Sequence, residues 1–240
     1  MTVYLRINID QRNIRALRDL SRDFERRGWF ENPRFHPYLA PLERDFSGKM
    51  RFAAEHEMAQ MVAEAADEEP LIHRFYWGFH GLSFLYALRA GRAPEPVMRY
   101  CGATTGDYVL DARGHVHACW FGAGQDAFEL GDISQVAAGL PFDARGRKRV
   151  ARWRSRGVTR VEPCSTCKWA LVCGGGCAFK SRAKTGDMMQ PNCAPFTEIF
   201  DAVGKAVLEA PPEHWHDRGA RSGPKGQLGI EVHTASRGLR

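Results

Sequence analysis

Apolar and polar residues alternate without a break from Val3 to Asp10. Val3, Leu5, Ile7 and Ile9 fall on one side, and Tyr4, Arg6, Asn8 and Asp10 on the other, which is the period of two of a β-strand. Asp10 then stands where a helix N-cap belongs. Ile14, Leu17, Leu20 and Phe24 follow at helical spacing until Gly28 supplies a stop. A second short strand, interrupted by prolines, is predicted around Phe35 to Leu42. The three elements read as a βαβ unit with its two strands parallel. A polar face is unusual for a parallel strand, which is normally apolar on both sides, and a lone βαβ unit leaves strand edges bare. Both features are accounted for if these strands are the last part of a barrel whose lumen is a functional pocket. A sheet with one wet face is the plainer alternative.

Residues 50 to 92 read as helical: Phe52, His56, Met61 and Val62 mark one stretch, and Leu71 to Leu88, apolar nearly all round, marks a second that should be buried. Gly91 and Pro94-Glu95-Pro96 end it and mark the main boundary. Beyond it a hairpin is predicted, with Tyr108-Val109-Leu110 and His115-Val116-His117 flanking the turn Asp111-Ala112-Arg113-Gly114. A last helix runs from Pro195 to about Leu208, with Ile199, Val203 and Val207 on one face. The remainder, from Pro211, lacks apolar periodicity and reads as a disordered basic tail. The expected organisation is thus 1–95, 96–208 and 209–240, in an α/β (α+β) chain.

Composition narrows the class. Of 240 residues 44% are hydrophobic and 26% charged, which suits a globular chain with a real core. No apolar run approaches the roughly 20 residues that span a bilayer, and Met1-Thr2-Val3-Tyr4 enters a strand with no basic-then-apolar leader, so a cytoplasmic location is expected. The net charge of +6 comes partly from Arg145 to Arg160, a run of basic residues without an acid. Such a run can bind an acidic peptide or a nucleic acid, although a solvated linker is the commoner outcome.

Seven cysteines in a leaderless chain argue against a disulfide framework and for metal or cluster binding. They are Cys101, Cys119, Cys164, Cys167, Cys173, Cys177 and Cys193, and they read C-x12-G-x4-C, a gap, C-x2-C-x5-C-x3-C, a gap, then C. The C-x2-C pair places two thiolates in one tight loop, able to share one centre. Gly174, Gly175 and Gly176 let the backbone turn sharply between Cys173 and Cys177. Zinc is the competing occupant, since four thiolates, or three with a histidine, suit it equally. A zinc protein that binds nucleic acid through the basic run is therefore one reading of the residues.

The same pattern resembles the seven-cysteine signature of the SPASM domain, the C-terminal extension of many radical SAM enzymes, and it meets every interval of that signature. Leu130-Gly131-Asp132-Ile133 and Cys173-Gly174-Gly175-Gly176-Cys177 add to the likeness, and Arg6-Ile7-Asn8-Ile9-Asp10 looks like a late strand of the radical SAM partial barrel. The resemblance implies a remnant of a partial (β/α) barrel followed by a loop-rich domain with two auxiliary 4Fe–4S clusters. Cys101, Cys119 and Cys177 would hold the first, with His117 a candidate for its open iron. Cys164, Cys167, Cys173 and Cys193 would hold the second. Arg6, Asn8 and Tyr4 would line the lumen and touch S-adenosylmethionine or substrate. The family's C-x3-C-x2-C loop, which carries the radical-generating cluster, is not found in this sequence. The resemblance therefore implies a part of a peptide- or protein-modifying oxidoreductase, working with a separate radical SAM half and with a reductant such as flavodoxin or ferredoxin. S-adenosylmethionine and a third cluster would belong to the complete enzyme. In sulfatase-maturing relatives an aspartate follows the second cysteine; here Trp120 does, which shifts the expectation towards peptide crosslinking. The alternative within the same resemblance is a stand-alone electron-transfer or peptide-recruiting module.

Overall fold

The chain is described by a computed structural model over residues 1–42, 51–137 and 142–210. Strands β1 (Val3–Ile9) and β2 (Phe35–Pro41) pair in parallel, Val3 against Phe35 through Ile9 against Pro41, with α1 (Leu17–Arg26) as the crossover. Asp10 turns the chain into that crossover: its backbone carbonyl accepts the amides of Asn13 and Ile14, and its carboxylate pairs with Arg12. The βαβ unit is as the alternation and helical spacing predict.

The predicted second helix is not continuous. Helix α2 spans Glu55–Glu68, started by the Glu57 carboxylate, which accepts the Ala54 amide at 2.7 Å. After it comes a 3₁₀ turn at Pro70–Arg74, a third strand β3 (Tyr76–Trp77) and then α3 (Leu82–Arg89). Strand β3 pairs in parallel with β2, giving the order β1-β2-β3. An apolar run buried on all sides fits either a helix or a central strand, and close approach decides here. Gly78 donates its amide to the Leu39 carbonyl, and a Cβ at Gly78 would stand 2.4 Å from that oxygen.

The first core gathers Ile9, Leu17, Phe24, Leu39, Val62 and Trp77. Each such side chain contributes about 1.5–3 kcal/mol on burial. The last helix, α8 (Phe196–Glu209), adds Ile199, Val203 and Val207 to this same core, packing on α2 and α3. It follows the cysteine-rich segment in sequence yet belongs to the first core in space.

The cysteine-rich segment has its own small sheet. Strands β4 (Val109–Leu110) and β5 (His115–His117) form the predicted hairpin, and β6 (Glu129–Asp132), which was not expected, pairs antiparallel with β5. A short helix α4 (Ile133–Ala137) follows β6. The basic run is no linker: it forms α5 (Ala144–Ser155), capped by the Asp143 carboxylate, which accepts the Gly146 amide at 2.6 Å. Two short helices, α6 (Ala170–Cys173) and α7 (Ala178–Thr185), frame the glycine loop. A second core of Ala118, Phe128, Leu130, Trp153 and Phe179 includes Cys119 and Cys177, and a third patch joins Val158 and Val161 to Cys164. The tail predicted from Pro211 lies outside the described residues.

Candidate functional site

Four of the cysteines sit at turns whose amides face the sulfur. Cys101 precedes the turn Gly102–Thr104, and the amides of Ala103 and Thr104 lie against its thiol. Cys119 precedes the turn Trp120–Gly122 in the same way, facing the amides of Phe121 and Gly122. Cys177 caps α7 and faces those of Lys180 and Phe179; Cys173 ends α6 and faces that of Gly175. Free N–H groups at the start of a helical turn favour a negative sulfur. Burial works the other way and wins, pushing Cys177 up to about 11 and raising Cys101, Cys119, Cys164 and Cys173 as well. Thiolates held in such places need a compensating positive charge.

The sulfurs repel one another in two sets. Cys119 feels Cys101, and Cys177 feels both Cys119 and Cys101. Cys164 feels Cys193 and Cys167, while Cys173 feels Cys164, Cys193 and Cys167. Cys101 and Cys119 thus lie near Cys177, and Cys167 and Cys193 lie near Cys164 and Cys173.

Between the sets lies Arg156, 1% exposed. Its guanidinium donates to the carbonyls of Gly175 and Gly176, at 2.7 and 3.2 Å, and to those of Gln190 and Met188. Burial lowers its pKa, opposed by Cys177, Cys164, Cys101 and Cys173, members of both sets. A buried cation held by carbonyls alone is expensive, so the neighbouring sulfurs are its natural counter-charge. The loop it holds has φ of 69°, 88° and 72° at Gly174, Gly175 and Gly176, which side chains rarely adopt.

A hydrogen-bonded chain reaches this region from the first core. The Glu55 carboxylate contacts His80 Nδ1 at 2.7 Å, and His80 Nε2 meets the Tyr100 hydroxyl at 2.5 Å. Burial opposes the charge on His80, yet Glu55 holds its pKa above the ordinary value. Burial, then Cys177, Glu55 and Cys101, push the Tyr100 phenol far upward. Glu55, His80, Tyr100, Cys173, Lys180 and Cys193 line one cavity of about 300 Å³. Burial lowers Lys180 there to about 8.

The remaining predicted residues are placed as follows. Arg6 and Asn8 lie on the exposed face of β1, joined by a 2.8 Å hydrogen bond, and Tyr4 stacks on His36 beside them. His117, the candidate for the open iron, is buried and meets Asp111 at 3.1 Å, because β6 and the loop at Gly124 close over it. Trp120 is exposed. Sequence reasoning missed Arg156, hidden in a basic run, and the Glu55–His80–Tyr100 chain. The one clue was that Tyr100 directly precedes a cysteine.

No protein-family profile and no curated protein matches this chain. Among solved structures it is similar to "Native anSMEcpe with bound AdoMet", at a TM-score of 0.54 and 16% identity, over 85% of this chain and 55% of that one. The chain therefore spans about half the length of the solved structure it matches. No helix among the described residues is long and apolar enough to cross a membrane. The likeness shows that this chain shares the mixed α/β fold of part of that structure.

Proposed function

We propose that this chain is the auxiliary-cluster part of a radical SAM oxidoreductase of the SPASM type, modifying a peptide or protein. The observation that carries the reading is the nearness of Cys101 and Cys119 to Cys177, and of Cys167 and Cys193 to Cys164 and Cys173, in a seven-cysteine pattern. The donors fit 4Fe–4S clusters: thiolate sulfur, amides facing the sulfurs, and a loop whose backbone approaches closely. Cys101, Cys119 and Cys177 hold one cluster, and Cys164, Cys167, Cys173 and Cys193 the other. When bound, such clusters supply one-electron transfer or a substrate-binding iron. The chain's own residues do the rest. The turn amides and Arg156 stabilise negative sulfur, the apolar residues around Cys119 and Cys177 exclude water, and Glu55, His80 and Tyr100 tie the cluster region to the barrel-like sheet. The radical itself requires a C-x3-C-x2-C loop and S-adenosylmethionine supplied by a separate segment, with flavodoxin or ferredoxin as reductant; Arg6 and Asn8, on the open face of β1, are the residues offered to that half.

The substrate's acidic part meets α5. A cleft of about 390 Å³ presents Arg145, Arg149, Arg152 and Arg182 around Phe128 and Trp153, a surface suited to carboxylates interleaved with apolar side chains. The test is anaerobic purification and a count of iron, sulfide and zinc. About eight irons with matching sulfide are expected for two such clusters; about two zincs without sulfide would overturn the proposal.

A further inference from the structure

The hairpin that carries Cys119 holds a second constellation, separate from the seven thiols. His115 and His117 of β5 both face Asp111, across a register shift between Val116 and His117. The turn supplies Asp111 to them. Its Oδ1 accepts the amides of Arg113 and His115, at 2.8 and 3.0 Å, so Oδ2 is left for the imidazoles. Strand pairing sets Glu129 opposite His117 and Asp132 opposite His115.

We propose that Asp111, His115 and His117 form a binding site for one divalent first-row metal ion such as zinc, with Glu129 in reach as a fourth ligand. Asp111 Oδ2 lies 3.1 Å from His117 Nε2 and 3.7 Å from His115 Nδ1, and His115 Nδ1 lies 3.6 Å from Glu129 Oε2. Donors about 2.1 Å from a tetrahedral ion stand about 3.4 Å from one another. The three core donors already lie within 4.8 Å of one another, so small side-chain rotations close the site. Two imidazoles with one or two carboxylates are a donor set that zinc and iron(II) share.

The His117 side chain is 1% exposed with its Nε2 facing Asp111 Oδ2, so an ion bound there is shielded from water on that side. Asp111 makes ion pairs only with the two imidazoles among the described residues. Arg149 of α5 is engaged at the Glu129 carbonyl. His115 is 39% exposed, so one side of the site opens to solvent and leaves a coordination position for water. Such an ion would tie the turn to β5 and β6, and so steady Cys119 two residues beyond His117.

The test uses the full chain, purified anaerobically with its native iron content, given excess zinc chloride, desalted and analysed for zinc and iron. Wild type is expected to retain one more zinc per chain than His115→Gln and Asp111→Asn, with iron equal in all three. His115 is partly exposed, and asparagine keeps the acceptor that orders the turn, so both variants retain the fold. Added zinc should raise the melting temperature of wild type and not of His115→Gln. Because the comparison is a difference between chains, it stands whether the thiols hold iron or zinc. Equal zinc in all three proteins would overturn the site. So would a His117→Gln protein that loses iron while keeping the extra zinc, since His117 would then serve the thiol-bound centre.

Discussion

Arg156 is the residue on which the cysteine-rich segment turns. It is buried, its donors fill the carbonyls of the glycine loop and of residues 188 and 190, and its charge faces sulfurs of both sets. Arg156→Met leaves four carbonyls short of a donor, a loss of about 2–4 kcal/mol, and lowers the electron affinity of whatever the sulfurs bind. Denaturant unfolding and a redox titration of the loaded protein measure the two effects, and Arg156→Lys should recover part of the second. His80 is a different kind of residue, because its charge depends on pH. Its pKa is raised by Glu55 against the cost of burial. The stabilisation is therefore full below the ordinary histidine value of about 6.5 and is lost as pH rises through the higher folded value. The melting temperature gap between wild type and Glu55→Gln should be widest near pH 6 and shrink towards pH 9, about two to three units above that ordinary value. A gap that does not change with pH would remove the charge from this account.

At the scale of elements, the glycine loop between α6 and α7 shows why spacing alone under-describes a cysteine motif. A Cβ at Gly176 would fall 1.9 Å from the Asn192 carbonyl oxygen, whereas one at Gly175 meets nothing within 4 Å. Both have positive φ, so Gly175→Ala costs about 1–2 kcal/mol of strain alone. Gly176→Ala adds a clash with backbone next to Cys193 and should abolish retention of bound metal, read as iron per chain. The hairpin was legible because Gly114 and the alternation around it are local signals. Strand β6 was not, since Glu129–Asp132 carries no alternation of its own and is held by pairing with β5. The same holds for β3, a two-residue strand inside an apolar run that periodicity alone reads as helix.

For the molecule as a whole, α8 makes the connection. It begins at Phe196, three residues after Cys193, and it buries Ile199, Val203 and Val207 in the first core. Ile199→Ala should cost about 2–5 kcal/mol and loosen the thiol region with it, measured as faster loss of bound metal alongside a lower unfolding midpoint. In the α5 cleft, Arg145→Glu with Arg152→Glu should weaken binding of a polyglutamate peptide at least tenfold and leave metal content unchanged. The amino-acid sequence by itself determined the βαβ start, the hairpin, the last helix and the spacing of the seven cysteines, because alternation, turn residues and cysteine spacing are short-range signals. Only the tertiary structure decided that an apolar run breaks to give β3, that one arginine of a basic run is buried among the sulfurs, and that His117 faces Asp111 rather than solvent. Each of those depends on which distant backbone comes within van der Waals or hydrogen-bonding reach, and no local pattern encodes that distance.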